Sequence, residues 1–454
     1  MIADAVPDVL ANACPEVWPA RPDDAVAGVV PRFVARPADV AEAAATMGAA
    51  ASLGMTAVPR GTGTRLGWGA PPASCDLVID TLRLNRVLEH AAGDLVVRVQ
   101  AGVGLDQLAA VLAEAGQRLA LDPPPTSLHP PSRGPGAGDG AGAGTIGGVL
   151  ATGAAGPLRL RYGTPRDLAI GITVVRADGT VASSGGKVVK NVAGYDLGKL
   201  FAGSYGTLGL IAEAAFRLHP RPGAASFVTR DAADADTAHA AIAAAAGSPL
   251  APSAAEIGWP GRQAPISVGV LLEGDSEGVA ERSRRMAELL GGGASVSPVP
   301  PAWWGRGAAA AADGTVIRIA FWAAELAGVL RGVDAAAAAA GLDPAVSGSA
   351  AAGVIYAAVD GRTAPAAVAQ FVLDVRAAVG NPPAATTGSP AARTGSPASG
   401  PPSRGSAVVL HAPAEVRAAV DVWGPVPALG LMRAVKNQFD PDHRMAPGRL
   451  AGGI

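Results

Sequence analysis

The chain reads as an α+β protein of two domains, on three observations. Up to about residue 221, strand-like and helix-like segments alternate, and a glycine-rich loop directly follows one of the early strands. Beyond it, strand-like runs at 266–274, 315–322, 353–359 and 407–413 alternate with helical segments near 277–290, 323–340 and 364–379. That second pattern suits helices laid over one face of a mainly antiparallel sheet. Finally, 454 residues are enough for two or three domains, and with 49% of them hydrophobic a sizeable core is available. Much of the apolar content is alanine, which weakens every argument from composition.

Residues 1–30 show no periodicity and read as an irregular lead-in. From Pro37, Val40, Ala44, Met47 and Ala51 share one helical face, with Gly54 as the stop. TAVPR (56–60) is a short strand, and GTGTRLGWG (61–69) is the glycine-rich loop after it. DLVIDTLRLNRVLE and DLVVRVQAG supply two more strands. LDQLAAVLAEAG follows as an amphipathic helix with Leu105, Leu108 and Leu112 inward and Gly116 past its end. Residues 122–144, rich in Pro and Gly, read as a long flexible loop. Ile170 to Arg176 alternates like a strand, and Asp178-Gly179 signals a hairpin returning through TVASS. LGLIAEAAFRLHP closes this first domain, 31–221, as a strand. The second domain runs from 222 to 430 and contains a low-complexity stretch, 381–406, expected to be disordered. Residues 431–454 form a tail, a short helix and a Pro-punctuated turn, that returns to the first domain.

Two glycine-rich stretches carry the chemistry. In the loop Arg60 to Gly69, consecutive backbone N–H groups can form a concave nest for an anion, with Arg60 and Arg65 adding charge. The loop lacks both the Gly-Lys-Ser/Thr ending of a nucleotide-hydrolase loop and Rossmann spacing. Alone, it is weak, and a plain surface turn is the favoured reading. The stretch Gly185 to Ile211, GGKVVKNVAGYDLGKLFAGSYGTLGLI, sets glycines among lysines, tyrosines, an amide and hydroxyls. Glycine lets a bound group approach bare backbone, so this run is suited to wrapping something flat, polar and partly anionic. Tight turns between core strands use the same residues.

The remaining composition excludes several classes. Net charge is −2 with no basic block, so there is no electrostatic footprint for nucleic acid. Two cysteines, Cys14 and Cys75, form no disulfide framework, zinc site or iron–sulfur spacing. The acidic start does not resemble a signal peptide, and no apolar run is long enough to span a bilayer, so a soluble cytoplasmic protein is expected.

The motifs PRGTGTRLGWG, TIGGVLATGAAGPLRLRYGTPRDL, GGKVVKNVAGYDLGKLFAGSYGTLGLI and FDPDHRMAPGR, in that order, resemble the FAD-binding domain of the vanillyl-alcohol oxidase and p-cresol methylhydroxylase (PCMH) type. Within that family they are similar to the FAD-binding subunits of glycolate oxidases. The resemblance covers roughly 30–221 plus the tail. It implies a two-part PCMH-type FAD-binding domain followed by an α+β cap domain. It also implies roles. Arg60, Gly61, Thr62, Gly63 and Thr64 would hold the FAD pyrophosphate, mainly through backbone N–H groups. Thr145, Ile146, Gly147, Gly148 and Gly153 would line the flavin or ribityl chain, and Arg166 and Asp167 would sit at the cofactor's edge. Asn191, Gly194, Tyr195, Asp196, Gly203, Ser204, Gly206, Thr207 and Gly209 would complete the wall. Glycine at these points would leave room that a Cβ would take from the flavin.

Departures from the family pattern carry their own implications. Thr64 and Arg65 follow Gly63 where covalent members have a His, and no Cys follows Cys75, so the FAD would be non-covalent. The chain has only His219, His239 and His411 across the region of the family's His-rich substrate and metal motif, which lies in the second domain of related enzymes. These read as surface or capping residues, and His443 is the one to test. The tail has Ala446-Pro447-Gly448 in place of Asn-Pro-Gly. No catalytic base is assigned and no metal is expected. The favoured expectation is a flavin-carrying subunit of a glycolate-oxidase-like complex, with a second flavin subunit and an iron–sulfur subunit as partners and a small 2-hydroxy acid as substrate. The alternative is a stand-alone FAD-linked dehydrogenase whose pocket Trp303, Trp304, Arg318, Trp322 and Tyr356 line. A flavin-free scaffold comes last.

Overall fold

A computed structural model describes residues 2–125, 144–186, 194–307, 313–380 and 405–454. The chain divides into two compact units, Met1–Gly223 with Pro425–Ile454, and Ala224–Gly424.

The first unit contains two main sheets. One has four strands in the order Val17–Pro19, Phe33–Ala35, Leu77–Asp80, Ala57–Arg60. Its outer pair is antiparallel, and the pairings of Leu77–Asp80 with both neighbours are parallel. The other is antiparallel throughout, in the order Val87–Ala91, Val96–Gln100, Leu210–Arg217, Ala169–Val175, Val181–Gly185. The stretch expected as two strands between 76 and 101 is thus three, because the turn at Thr81–Arg86 moves the chain from one sheet to the other.

The strand Leu210–Arg217 belongs to two cores. Ile211, Ala214 and Phe216 pack with Leu108, Leu112, Leu150 and Phe201. Leu210 and Ala212 pack with Met47, Leu77, Ile79 and Met445. Alternate residues of a strand face opposite sides, and the bulge between Ile211 and Glu213 switches which alternate set faces which core, so one buried strand serves both. Its Gly209 end therefore lies where the two sheets come together.

The helix Val40–Ser52 begins with a capping pair, Asp39 accepting from Glu42 N at 2.9 Å while Glu42 accepts from Ala38 N at 2.8 Å. Its buried face is Ala43, Thr46, Met47 and Ala50, rotated from the expected one. With alanine at most positions the helix has little apolar contrast to set the face. Residues 2–13, expected to be irregular, are a helix that includes Pro7.

The second unit is one antiparallel sheet of eight strands, in the order Ser295–Ser297, Ala224–Ala232, Ile266–Gly274, Ala254–Trp259, Ala345–Ser349, Val354–Val359, Thr315–Phe321, Gly405–His411. Helices Ala235–Ala246, Ser276–Leu290, Leu326–Ala340 and Pro365–Gly380 accompany it. The α+β expectation holds in both units. No helix among the described residues is long and apolar enough to cross a membrane.

Candidate functional site

In the first unit, the strand Ala57–Arg60 runs into the loop 61–69, and that loop forms one side of a cleft. Within the loop, Leu66 N donates to Gly63 O and Trp68 N to Arg65 O. The N–H groups of Gly61, Thr62, Gly63 and Thr64 have no acceptor among the described residues. The Thr62 hydroxyl is buried and likewise unpartnered there. A buried hydroxyl without a partner costs free energy, and the orphaned Thr62 hydroxyl beside four open N–H groups points to a polar or anionic ligand.

The opposite side is the short helix Ile146–Thr152, with Thr145 as its N-cap accepting from Gly148 N at 3.3 Å. Gly147 N donates to Ala101 O at 2.8 Å, which fastens the helix start to the five-stranded sheet. Tyr205, Gly206, Gly209, Leu210 and Ile211 supply another part of the lining. The loop that carries them is bonded to the helix, Gly203 N to Leu150 O and Tyr205 N to Ala151 O.

Ten of the expected residues therefore line one cleft: Arg60, Gly61, Thr62, Gly63, Thr64, Thr145, Gly147, Gly148, Gly206 and Gly209. Others serve elsewhere. Ile146 is buried in the core. Gly153 caps the helix C-terminus with φ +62°. Gly203, Ser204 and Thr207 form the bracket behind the lining, where the Thr207 hydroxyl donates to Ser204 O at 2.7 Å. Gly194, Tyr195 and Asp196 are exposed, Tyr195 by 92%. Asp196 caps the helix Leu197–Phe201. Asn191 lies outside the described residues. Arg166 and Asp167 are exposed too. Burial pushes the Asp167 carboxyl up, but hydrogen bonds from Thr164 N and Oγ1 outweigh it and hold the group below the usual range.

Two physical expectations need correction. The Arg60 guanidinium, expected to add charge for a ligand, is held in ion pairs with Asp24 at 2.8 Å and Asp80 at 3.2 Å, and Asp80 also pairs with Arg36. Its carbonyl accepts from the Thr81 N–H and hydroxyl, so both its charge and its backbone oxygen are engaged by protein. The glycines were expected to make room for a ligand, yet at least three of them make room for protein. A Cβ on Gly61 would lie 2.3 Å from Thr145 Oγ1, one on Gly147 2.7 Å from the Ala101 Cβ, and one on Gly209 2.9 Å from Val175 O.

Arg65, expected to add charge, lines the cleft, as do Thr81, Thr152, Tyr205 and Arg449, to which sequence reasoning gave no site role. Arg65 donates to Pro124 O at 3.1 Å and stacks over Trp68. Arg449 donates from Nη2 to Leu66 O at 2.8 Å and Trp68 O at 2.9 Å. Tyr205 and Arg449 both fall inside motifs quoted above, which was the available signal. Neither cysteine is placed for attachment: Cys14 and Cys75 are buried outside the lining, and burial pushes the Cys75 thiol up to about 12. His443 is exposed in the tail turn. His411 is buried in its strand rather than at the surface.

The second unit carries its own polar row. Arg318, Tyr356, Ser347 and Gly258 are direct cross-strand neighbours on four adjacent strands, so their side chains share a face. Trp303 packs on that face, because a Cβ on Gly258 would meet its ring at 2.5 Å. Trp304 joins it, edge-on to Phe227 with centroids 5.0 Å apart. The Ser347 hydroxyl is buried with no partner among the described residues. Trp322, past the strand end, is 68% exposed.

Residues 31–130 match the family model described as FAD binding domain. The matched stretch includes the loop 61–69 and the cleft-lining residues Thr81 and Ala101. Among curated proteins, the chain is similar to glycolate oxidase subunit GlcD of Bacillus subtilis, 40% identical over 36% of this chain and 32% of the relative. It is similar to D-lactate dehydrogenase of Archaeoglobus fulgidus, 36% identical over 41% and 39%. It is also similar to glycolate oxidase subunit GlcE of Escherichia coli, 34% identical over 32% and 37%. The chain thus spans a third to two-fifths of the length of these relatives. A solved structure of alkyldihydroxyacetonephosphate synthase superposes with a TM-score of 0.63 at 17% identity, covering 92% of this chain and 76% of that one. That likeness concerns the fold.

Proposed function

We propose that this chain is the FAD-carrying subunit of a glycolate-oxidase-like complex that oxidises a small 2-hydroxy acid to the 2-oxo acid. The observation that carries the reading is the cradle of open N–H groups at Gly61–Thr64, with the buried Thr62 hydroxyl, inside a matched FAD-binding domain. Such a nest fits a pyrophosphate. The names of two relatives, subunits GlcD and GlcE, support the subunit reading.

Gly61, Thr62, Gly63 and Thr64 would hold the pyrophosphate by backbone donors. Thr145, Gly147, Gly148, Tyr205, Gly206 and Gly209 would enclose the rest of the cofactor and exclude water from it. FAD would supply two-electron redox chemistry, with the electrons leaving to an iron–sulfur partner. With no His among the described cleft-lining residues and both cysteines elsewhere, attachment would be non-covalent.

The test is a visible absorption spectrum of the purified chain before and after acid precipitation. Yellow protein that releases free FAD to the supernatant supports the reading. A chain that stays colourless after reconstitution with FAD ends it.

A second reading is favoured by the polar row of the second unit. Arg318, Tyr356 and Ser347 beside Trp303 offer a guanidinium and hydroxyls to a carboxylate, which suits a stand-alone 2-hydroxy-acid dehydrogenase. The D-lactate dehydrogenase relative supports it. Turnover of an artificial electron acceptor by the lone chain would decide for this reading over the subunit.

A further inference from the structure

Lys436 is fully buried in the helix Leu429–Phe439 of the terminal segment. Its ammonium donates to Thr207 O at 2.7 Å, to the Asp440 carboxylate at 2.6 Å and to Met445 O at 2.9 Å. An ammonium has three donors, and here all three are spent. Asp440, also fully buried, accepts in turn from Arg444 N at 3.0 Å and Met445 N at 2.7 Å. Burial pushes the Lys436 ammonium down, and the Asp440 carboxylate opposes that shift.

The same segment then joins the four-stranded sheet. Ala57 N donates to Arg444 O and Ala446 N donates to Ala57 O, each at 2.8 Å. Ala57 opens the strand that ends at Arg60 and the glycine loop. Ala73 N, beyond that loop, donates to Pro447 O at 2.7 Å. Last, Arg449 reaches the carbonyls of Leu66 and Trp68 within the loop itself. One terminal segment thereby fixes the bracket 203–207 on one side and the loop 61–69, with the strand before it, on the other.

We propose that Lys436–Arg449 is a strap that holds the glycine loop in its binding shape before a ligand arrives, with Arg449 as its chief positioning residue. Arg449 acts through the loop's carbonyls, and those bonds orient the N–H groups of the same loop toward the cleft. Preorganisation of this kind spares the ligand the cost of ordering the loop. The proposal takes FAD as the ligand and so rests on the function proposed above.

The experiment uses the full chain freed of flavin, as wild type, Arg449→Gln and Arg449→Lys. Lys436 is avoided because removing one partner of a buried ion pair endangers folding. FAD is titrated by quenching of flavin fluorescence at several salt concentrations, and amide hydrogen exchange is measured without FAD. Arg449→Gln is expected to weaken FAD by about tenfold, the scale of one lost charge-assisted hydrogen bond. Arg449→Lys is expected to recover part of the loss. The dependence of affinity on salt should match wild type, since a residue acting through carbonyls adds no screened charge contact. Amides of 61–69 should exchange faster in Arg449→Gln, while those of the strand 210–217 keep their protection. Unchanged affinity with unchanged exchange overturns the strap. A flattened salt dependence also overturns it, because Arg449 would then act by direct charge. If wild type takes no FAD, the proposed function fails, and the exchange measurement alone decides the strap.

Discussion

The loops Gly61–Gly69 and Gly203–Gly209 share a recipe of glycine, threonine and one aromatic, and both contribute to the same cleft. They spend their backbones differently. In the second, Gly203 N, Ser204 N, Tyr205 N and Thr207 N all donate to protein carbonyls. In the first, the N–H groups of four successive residues have no such acceptor among the described residues. One loop is a bracket and the other a cradle, and composition does not tell them apart. What separates them is the neighbour: Gly203–Gly209 lies against helix carbonyls at Leu150 and Ala151, whereas Gly61–Thr64 lies against the Thr145 side chain.

Four substitutions sharpen or break this contrast, in decreasing order of effect. Gly61→Ala drives a Cβ to 2.3 Å from Thr145 Oγ1, so the cradle and the helix cap must part. Calorimetry should show a loss of about 1–3 kcal/mol, the cost of overpacking, and gel filtration should show no retained FAD. Full FAD occupancy in this variant would break the assignment of the cradle.

Asp122→Asn probes the outer support of the same loop, since Arg65 bonds Pro124 O two residues away. Burial pushes the Asp122 carboxyl up to about 7, against hydrogen bonding from Leu158 N and the Arg159 charge. A carboxyl raised in the folded state keeps its proton where the unfolded chain has lost it. Wild-type stability therefore falls as pH rises from about 4 to about 7. Relative to wild type, the thermal midpoint of Asp122→Asn should rise across that window. A constant difference would refute the buried-carboxyl account.

Thr62→Val removes a hydroxyl with no described partner. FAD affinity should drop about tenfold. The flavin-free chain should be as stable as wild type or more so, because an unsatisfied buried group is gone. A loss of stability without loss of affinity would assign Thr62 to the frame. Gly203→Ala has the mildest expected effect on the cleft. It has open space for a Cβ but a φ of +79°, so denaturation should report about 1–2 kcal/mol of strain with FAD affinity unchanged.

These contrasts show which features the sequence displayed. The strand 57–60, its loop and the hairpin at Asp178-Gly179 were legible because apolar alternation stops abruptly at glycine. The strands Ala224–Ala232, Ala254–Trp259 and Ala345–Ser349 were not recognised, since alanine, serine and glycine hide their alternation. The helix Ile2–Ala13 was obscured by Pro7. In the cleft, backbone-facing roles at Gly61–Thr64 followed from residue type and position. The role of Arg449 did not, because nothing in Ala-Pro-Gly-Arg-Leu names a carbonyl 383 positions earlier in the chain. The exposed Tyr195 and Asp196 illustrate the converse, a motif whose residues cap a helix beside the cleft instead of lining it.

The bond from Arg449 to Leu66 also sets a clock on biosynthesis. A ribosome adding about 5–20 residues per second needs roughly 20–80 s to cover the 383 positions between the two partners. Through that interval the nascent chain holds strand 57–60 and its loop without the segment that pairs with Ala57. The second unit, contiguous from Ala224 to Gly424, is complete earlier. The pairing of Ala57 with the terminal segment therefore forms only after the whole second unit has been synthesised.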